Sequence, residues 1–226
     1  MHGYYAERLA DRALERCYQL APPRVQRYLA AELEFVVAQL RPTDLVLDLG
    51  CGYGRAIPAF ARAAGFVVGI DTSLPSLEMA SRQLRTVPNA AVACMDGTRL
   101  GLAGGSFDVV ACVQNGICAF HVDQRLLLGE ALRMLRPGGT ALFSTYAERF
   151  WAPRLEWFER QAAAGLIGEI DRERTRPCLI VCTDGFTSGT LSPEEFPALI
   201  AGLEVKARSV EVDGSSRFFI LRKPSP

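Results

Sequence analysis

Leu45-Val46-Leu47-Asp48-Leu49-Gly50-Cys51-Gly52-Tyr53-Gly54-Arg55 is the stretch on which the fold turns. An apolar run suited to a buried strand drives into three glycines at alternate positions and then into a helical pattern. Strand, tight glycine turn and helix is how an α/β sheet holds a nucleotide-like ligand at its carboxyl edge. Glycine lets the backbone turn sharply and leaves no side chain between it and the ligand. Two details narrow the ligand. Gly54 comes one residue too early for the dinucleotide spacing G-x-G-x-x-G, and Asp48 sits two residues before the first glycine. A carboxylate there repels a pyrophosphate and attracts a ligand bearing an ammonium and a sulfonium.

Outward from this turn, βα units repeat. Arg55 to Ala64 reads as a crossover helix ended by Gly65, and Phe66 to Asp71 as a second buried strand. Asp71 lies about where a carboxylate takes the two ribose hydroxyls of a nucleoside. A helix N-cap is the alternative for Asp71, although Thr72 or Ser73 could serve there. Ser73 to Leu84 reads as helix, Ala90 to Cys94 as the third strand, and Phe107 to Val113 as the fourth. Gln114-Asn115-Gly116 follow at the ligand edge, as polar groups suited to a substrate or to the amino-acid end of the ligand. A helix from Asp123 to Leu135 leads through Arg136-Pro137-Gly138-Gly139 into a fifth strand, Thr140 to Thr145, with Tyr146 at its end.

The run Asp48-x-Gly50-x-Gly52-x-Gly54 resembles motif I of the class I S-adenosylmethionine-dependent methyltransferases. Phe107-Asp108-x-Val110 and Leu135-Arg136-Pro137-Gly138-Gly139 resemble the same family's fourth- and fifth-strand signatures. The resemblance covers Asp44 to Ala147 well and the C-terminal tail reasonably. It is weak over the N-terminal helices and the segment after Ala147. It implies a Rossmann-like, seven-stranded, mostly parallel sheet with an antiparallel last strand. It implies S-adenosyl-L-methionine as cofactor and S-adenosyl-L-homocysteine as product. Asp48, Gly50, Cys51, Gly52 and Gly54 would then hold the methionine end, and Asp71 and Thr72 the ribose. Met95, Asp96 and Gly97 would hold the adenine, and Gln114 and Asn115 would lie beside the reacting methyl. His121 is the natural general base if one is needed, with a helix-capping role as the alternative. Tyr146 is the second catalytic candidate, or a plain rim aromatic.

Residues 1–42 read as an N-terminal helical lid, with helices from about Tyr4 to Leu20 and from Pro22 to Leu40, on a methyltransferase domain over 43–226. Tyr4 and Tyr5 are candidates to fold over the pocket. Residues 147–187 read as a β-containing insertion after strand five that covers the substrate. In it, Trp151, Leu155 and Phe158 share one helical face, and Ile167 to Arg172 and Leu179 to Cys182 suggest two strands. Trp151 is a candidate substrate contact, with packing as the competing role. Cys178 and Cys182 would share a strand face, which raises a thiol or metalloid acceptor as a minor alternative. Ser192-Pro193-Glu194-Glu195 reads as a capping box before a helix to about Leu203, and Asp213-Gly214 as the turn of a closing hairpin.

The 226 residues suffice for one α/β domain with additions. Zero formal net charge argues against nucleic acid as partner and against an anionic membrane surface. No apolar run approaches a membrane span, and Met1 to Tyr5 runs into charged, amphipathic sequence unlike a signal peptide. Seven scattered cysteines without a C-x-x-C pair suit a reducing cytoplasm, and two histidines argue against a His-rich metal site. The expectation is a methyltransferase with a small-molecule acceptor, a homodimer being left open. The alternatives are a non-catalytic S-adenosylmethionine-binding module and an NAD-dependent oxidoreductase. Asp48 and the early third glycine argue against the latter.

Overall fold

The computed structural model describes Tyr4 and residues 8–225. Tyr5, one of the candidate lid residues, lies outside them. Among the described residues, α1 (Asp11–Gln19) and α2 (Pro23–Val37) precede the sheet. The expected first helix is interrupted, with a turn at residues 8–9 and an extended Ala10 before α1 begins. Pro22 and Pro23 open α2, where a missing N–H goes unnoticed.

The core then alternates β1 (Leu45–Leu49), α3 (Ile57–Ala61), β2 (Phe66–Asp71), α4 (Leu74–Gln83), β3 (Ala90–Cys94) and β4 (Phe107–Cys112). A short α5 (Gly116–Ala119), α6 (Gln124–Met134) and β5 (Leu135–Tyr146) follow. Seven strands form one sheet in the order β3-β2-β1-β4-β5-β9-β8, with β8 (Lys206–Val212) and β9 (Ser216–Arg222) closing it. The pairs among β1 to β5 are parallel, whereas β9 runs antiparallel to both β5 and β8. The chain winds outward from β1 through β3 and returns to β4 on the other side of β1. The strand order therefore reverses between β1 and β4, and a crevice opens at the carboxyl ends of those strands.

Alternate residues of each strand feed two cores. Leu47, Leu49, Val110, Cys112, Phe143 and Phe219 pack with α6 on one face. Val46, Val67, Val109, Ala111, Leu142 and Phe218 pack with α2 and α3 on the other. Asp108, at the start of β4, accepts from Leu45 N at 2.8 Å and from Arg136 Nη1 at 3.0 Å, far from the crevice. β5 begins earlier than expected. Arg136-Pro137-Gly138-Gly139 belongs to the strand as an irregularity, the register moving from Phe107↔Leu135 to Val109↔Thr140.

After β5, α7 (Trp151–Ala163) and a two-stranded sheet of β6 (Leu179–Val181) and β7 (Thr187–Gly189) form the insertion. The strand expected over Ile167 to Arg172 does not form. Ile170 makes an isolated bridge to Cys182, and Asp171 Oδ1 bends the chain by accepting from Glu173 N and Arg174 N. β7 pairs with β6 instead, across a turn containing Asp184 and Gly185, the latter at φ +94°. The buried face of α7 is Arg154, Trp157, Phe158 and Gln161, one position away from the Trp151, Leu155, Phe158 stripe expected. A third cluster joins Leu9, Cys17, Tyr28, Tyr146, Trp157, Phe158 and Phe186, binding α1 and α2 to the insertion. The expected capping box forms reciprocally, Ser192 N to Glu195 Oε2 at 2.9 Å and Glu195 N to Ser192 Oγ at 3.2 Å. The helix after it, α8, is shorter than expected, Phe196–Ile200, and Glu195 rather than Ser192 stands at its N-cap.

Candidate active site

A cavity of about 460 Å³ occupies the crevice at the β1/β4 reversal. Its floor begins at the glycine turn. Gly50, Gly52 and Gly54 have φ of +81°, +53° and +84°, a region that side-chain-bearing residues seldom enter. A Cβ on Gly50 would stand 2.4 Å from the Phe120 ring, so glycine here is a requirement of space as well as of φ. Gly50, Cys51 and Gly52 line the cavity. Gly54 does not. Its missing Cβ lets the turn approach Ala80 of α4, which a Cβ would meet at 3.0 Å.

Asp48, at the end of β1, is 1% exposed, and its Oδ2 has no hydrogen-bond partner although it borders the cavity. Burial pushes its acid up to about 7, against the pull of the nearby Arg55 guanidinium and with a small push from Asp71. Asp71 at the end of β2 accepts from Gly52 N through Oδ2 at 2.9 Å and from Ser73 N through Oδ1 at 2.8 Å. The N-cap of α4 is Ser73, whose side chain accepts from Ser76 N, so the carboxylate of Asp71 is not spent on capping. Burial raises Asp71 too, and the backbone donors partly offset it. Thr72, Met95, Asp96 and Gly97 continue the lining at the ends of β2 and β3. Thr98 N and Oγ1 both donate to Asp96 Oδ1, at 2.8 and 2.7 Å, which holds this acid below its ordinary range.

On the other side of the reversal, Gln114 and Tyr146 line the cavity at the ends of β4 and β5. Gln114 stands at φ +57°, anchored by its N–H to the buried Glu32 Oε2 at 2.9 Å. With its amide nitrogen toward the Tyr18 hydroxyl, its carbonyl oxygen accepts from Arg55 Nε at 3.0 Å. Asn115 does not reach the cavity. It accepts from Thr145 Oγ1 at 2.8 Å and donates to Gly189 O at 3.0 Å, tying β5 to the insertion. Tyr146 is buried, and desolvation raises its phenol well above the ordinary range, so it stays protonated. His121 stands at the exposed rim at φ +51°, and Asp123, not His121, caps α6.

Trp151 lies outside the cavity lining, and Trp157 six residues on takes the place expected of it. Tyr4 also lies outside, its ring edge-on to Phe186 at 5.0 Å and its hydroxyl donating to Asp184. Tyr18 of α1 and Gln161 of α7 line the cavity and were not marked by the sequence reading. The only signal for Gln161 was helical spacing, i to i+7 from Arg154, and a search for apolar stripes passes over two polar residues. Among the described residues no group of three His, Cys, Asp or Glu side chains could hold a metal ion.

A methyltransferase-domain family model matches residues 46–139, from β1 into the start of β5. The 2-methyl-6-phytyl-1,4-hydroquinone methyltransferase of Synechocystis sp. is 31% identical over 137 residues, covering 57% of this chain and 42% of that protein. The arsenite methyltransferase of Aquipseudomonas alcaligenes is 37% identical over 150 residues, covering 61% and 42%. The chain therefore spans less than half the length of these curated relatives. In structure, a SAM-dependent methyltransferase from Aquifex aeolicus superposes with a TM-score of 0.64 at 15% identity, over 92% of this chain and 97% of that one. Residues 46–139 thus match a methyltransferase-domain family, and the seven-stranded sheet that frames them has a Rossmann-like order.

Proposed function

We propose that the chain is an S-adenosylmethionine-dependent methyltransferase acting on a small-molecule acceptor. One observation carries the reading: the buried, unpartnered Asp48 Oδ2 bordering the cavity beside the glycine turn. An orphaned buried carboxylate is costly, and a ligand ammonium relieves that cost where a phosphate would add to it.

The residues present fit the cofactor. Asp48 takes the ammonium and Arg55 the carboxylate of the methionine portion. Asp71, fixed by Gly52 N and Ser73 N, keeps lone pairs for the ribose hydroxyls. Met95 packs on the adenine, and Asp96 accepts its amino group through Oδ2, which makes no hydrogen bond among the described residues. When bound, the cofactor supplies an electrophilic methyl whose sulfur departs as a neutral thioether. The chain's part is alignment and exclusion of water. Residues 1–42 act as a lid through α1, whose Leu14, Cys17 and Tyr18 line one wall, and the insertion closes another through α7. Tyr146, held protonated, donates a hydrogen bond and does not abstract a proton. His121 at the rim is the base for an acceptor that arrives protonated.

A thiol or metalloid acceptor is less favoured. Cys178 is exposed and Cys182 buried, and neither lines the cavity. Cys17 and Cys51 do line it, but burial raises both thiols, Cys17 up to about 12, which disfavours the thiolate. The seven unpaired cysteines suit a reducing cytoplasm. Among the described residues no helix is long and apolar enough to cross a membrane. Calorimetry with S-adenosylhomocysteine and with NAD tests the reading. The first should bind, Asp48→Ala should abolish binding, and tight binding of NAD would overturn it. Transfer of labelled methyl to a metabolite extract separates an enzyme from a binding module.

A further inference from the structure

The strand order divides the cavity in two. The acids Asp48, Asp71 and Asp96 stand at the ends of β1, β2 and β3. Over β4 and β5 the walls change character. Tyr146 forms the floor, Tyr18 of α1 faces Trp157 of α7 with ring centroids 5.9 Å apart, and Phe158 adjoins them. Among the described residues no acid lines this half. Trp157 Nε1 donates to Cys17 O at 2.8 Å, so the indole offers only apolar surface to a ligand. Arg55 is engaged by Gln114 and lies over the Tyr18 ring at 5.0 Å, and its charge faces Asp48.

The polar side chains of this half include Gln161 and the Tyr146 hydroxyl. Gln161 is 3% exposed and lines the cavity, and its amide makes no hydrogen bond among the described residues. The amide opens into the cavity, so a ligand that displaces water from it must replace that water's hydrogen bonds. An amide offers one donor group and one acceptor, which match a hydroxyl, carbonyl or ring N–H. A charged head group would lose its water here with no counter-ion to meet it.

Resting on the cofactor reading above, we infer that this half of the cavity binds an uncharged, flat ring compound. Its single hydrogen-bonding substituent is taken by the Gln161 amide, and its ring lies among Tyr18, Tyr146, Trp157 and Phe158. Gln161 is then a specificity-determining residue that orients the acceptor.

The test is calorimetry of the full chain, with and without saturating S-adenosylhomocysteine, using 2-naphthol, 2-naphthoate and 2-naphthylmethylammonium as probes. 2-Naphthol should bind about tenfold more tightly than either ion. Gln161→Leu should weaken it about tenfold while leaving S-adenosylhomocysteine affinity unchanged, and Gln161→Met should do the same. The inference is overturned if 2-naphthol fails to bind. It is equally overturned if an ion binds as well, or if both variants bind 2-naphthol like the parent. Loss of the cofactor reading shows separately, as failure of the parent chain to bind S-adenosylhomocysteine.

Discussion

Replacing Asp48 by asparagine should make the empty protein more stable and the binding site worse. Burial holds the acid at about 7, whereas an unfolded aspartate titrates near 3.8. A raised aspartate favours the unfolded state once the pH exceeds the unfolded value, and this penalty grows until the pH passes the folded one. Above pH 7 it amounts to roughly 4 kcal/mol at most, a gap of about three pH units at about 1.4 kcal/mol each. Asp48→Asn should remove it, raising the melting temperature at pH 8 and leaving it nearly unchanged at pH 4. Binding runs the opposite way. The ligand ammonium requires the carboxylate, so below pH 7 the free protein must first lose a proton. The dissociation constant for S-adenosylhomocysteine should then rise about tenfold per pH unit, about a hundredfold between pH 8 and pH 5. Calorimetry in buffers of different ionisation enthalpy should register release of nearly one proton at pH 6. Asp71, also raised, contributes any slope that survives in Asp48→Asn. A flat profile in the parent chain, or an undiminished slope in the variant, would refute the assignment of the ammonium to Asp48.

Other perturbations separate binding from packing. Gly50→Ala places a Cβ against the Phe120 ring at a φ of +81°, so it should cost about 2 kcal/mol of stability and abolish S-adenosylhomocysteine binding. Thermal melts and calorimetry read both effects. Asp71→Ala leaves Gly52 N and Ser73 N without their acceptor and should weaken cofactor binding at least about tenfold by calorimetry. Arg154 is 1% exposed, donates to Ser188 O and Oγ and lies over the Tyr146 ring at 4.4 Å. Arg154→Ala should cost about 3 kcal/mol, a melting-temperature loss of roughly 5–10 °C. Ser192→Ala breaks the capping box and should cost about 1 kcal/mol without altering cofactor affinity.

The sequence by itself determined the sheet, the turn that opens the cavity and the acids at the ends of β1, β2 and β3. Asp48, Gly50, Gly52 and Asp71 are legible because each is fixed by its immediate neighbours. A strand end, a φ that favours glycine and an alternation of apolar residues are local properties. The closing hairpin was legible for the same reason, Asp213 and Gly214 adopting φ of +53° and +60°. Only the tertiary structure decided what roofs the other half. Trp151 and Trp157 lie on the same helix, and which of them reaches the cavity depends on how α7 rolls against α1 and β5. Arg154 ties that roll to distant chain, its guanidinium donating to the carbonyls of Pro177 and Ser188, more than twenty residues away. Asn115 was misplaced because its partners, Thr145 and Gly189, are distant in the chain. Gln161 was passed over because a polar residue on a buried face does not register in an apolar stripe. Its meaning comes from the cavity before it, and that cavity exists only once three separate segments have packed together.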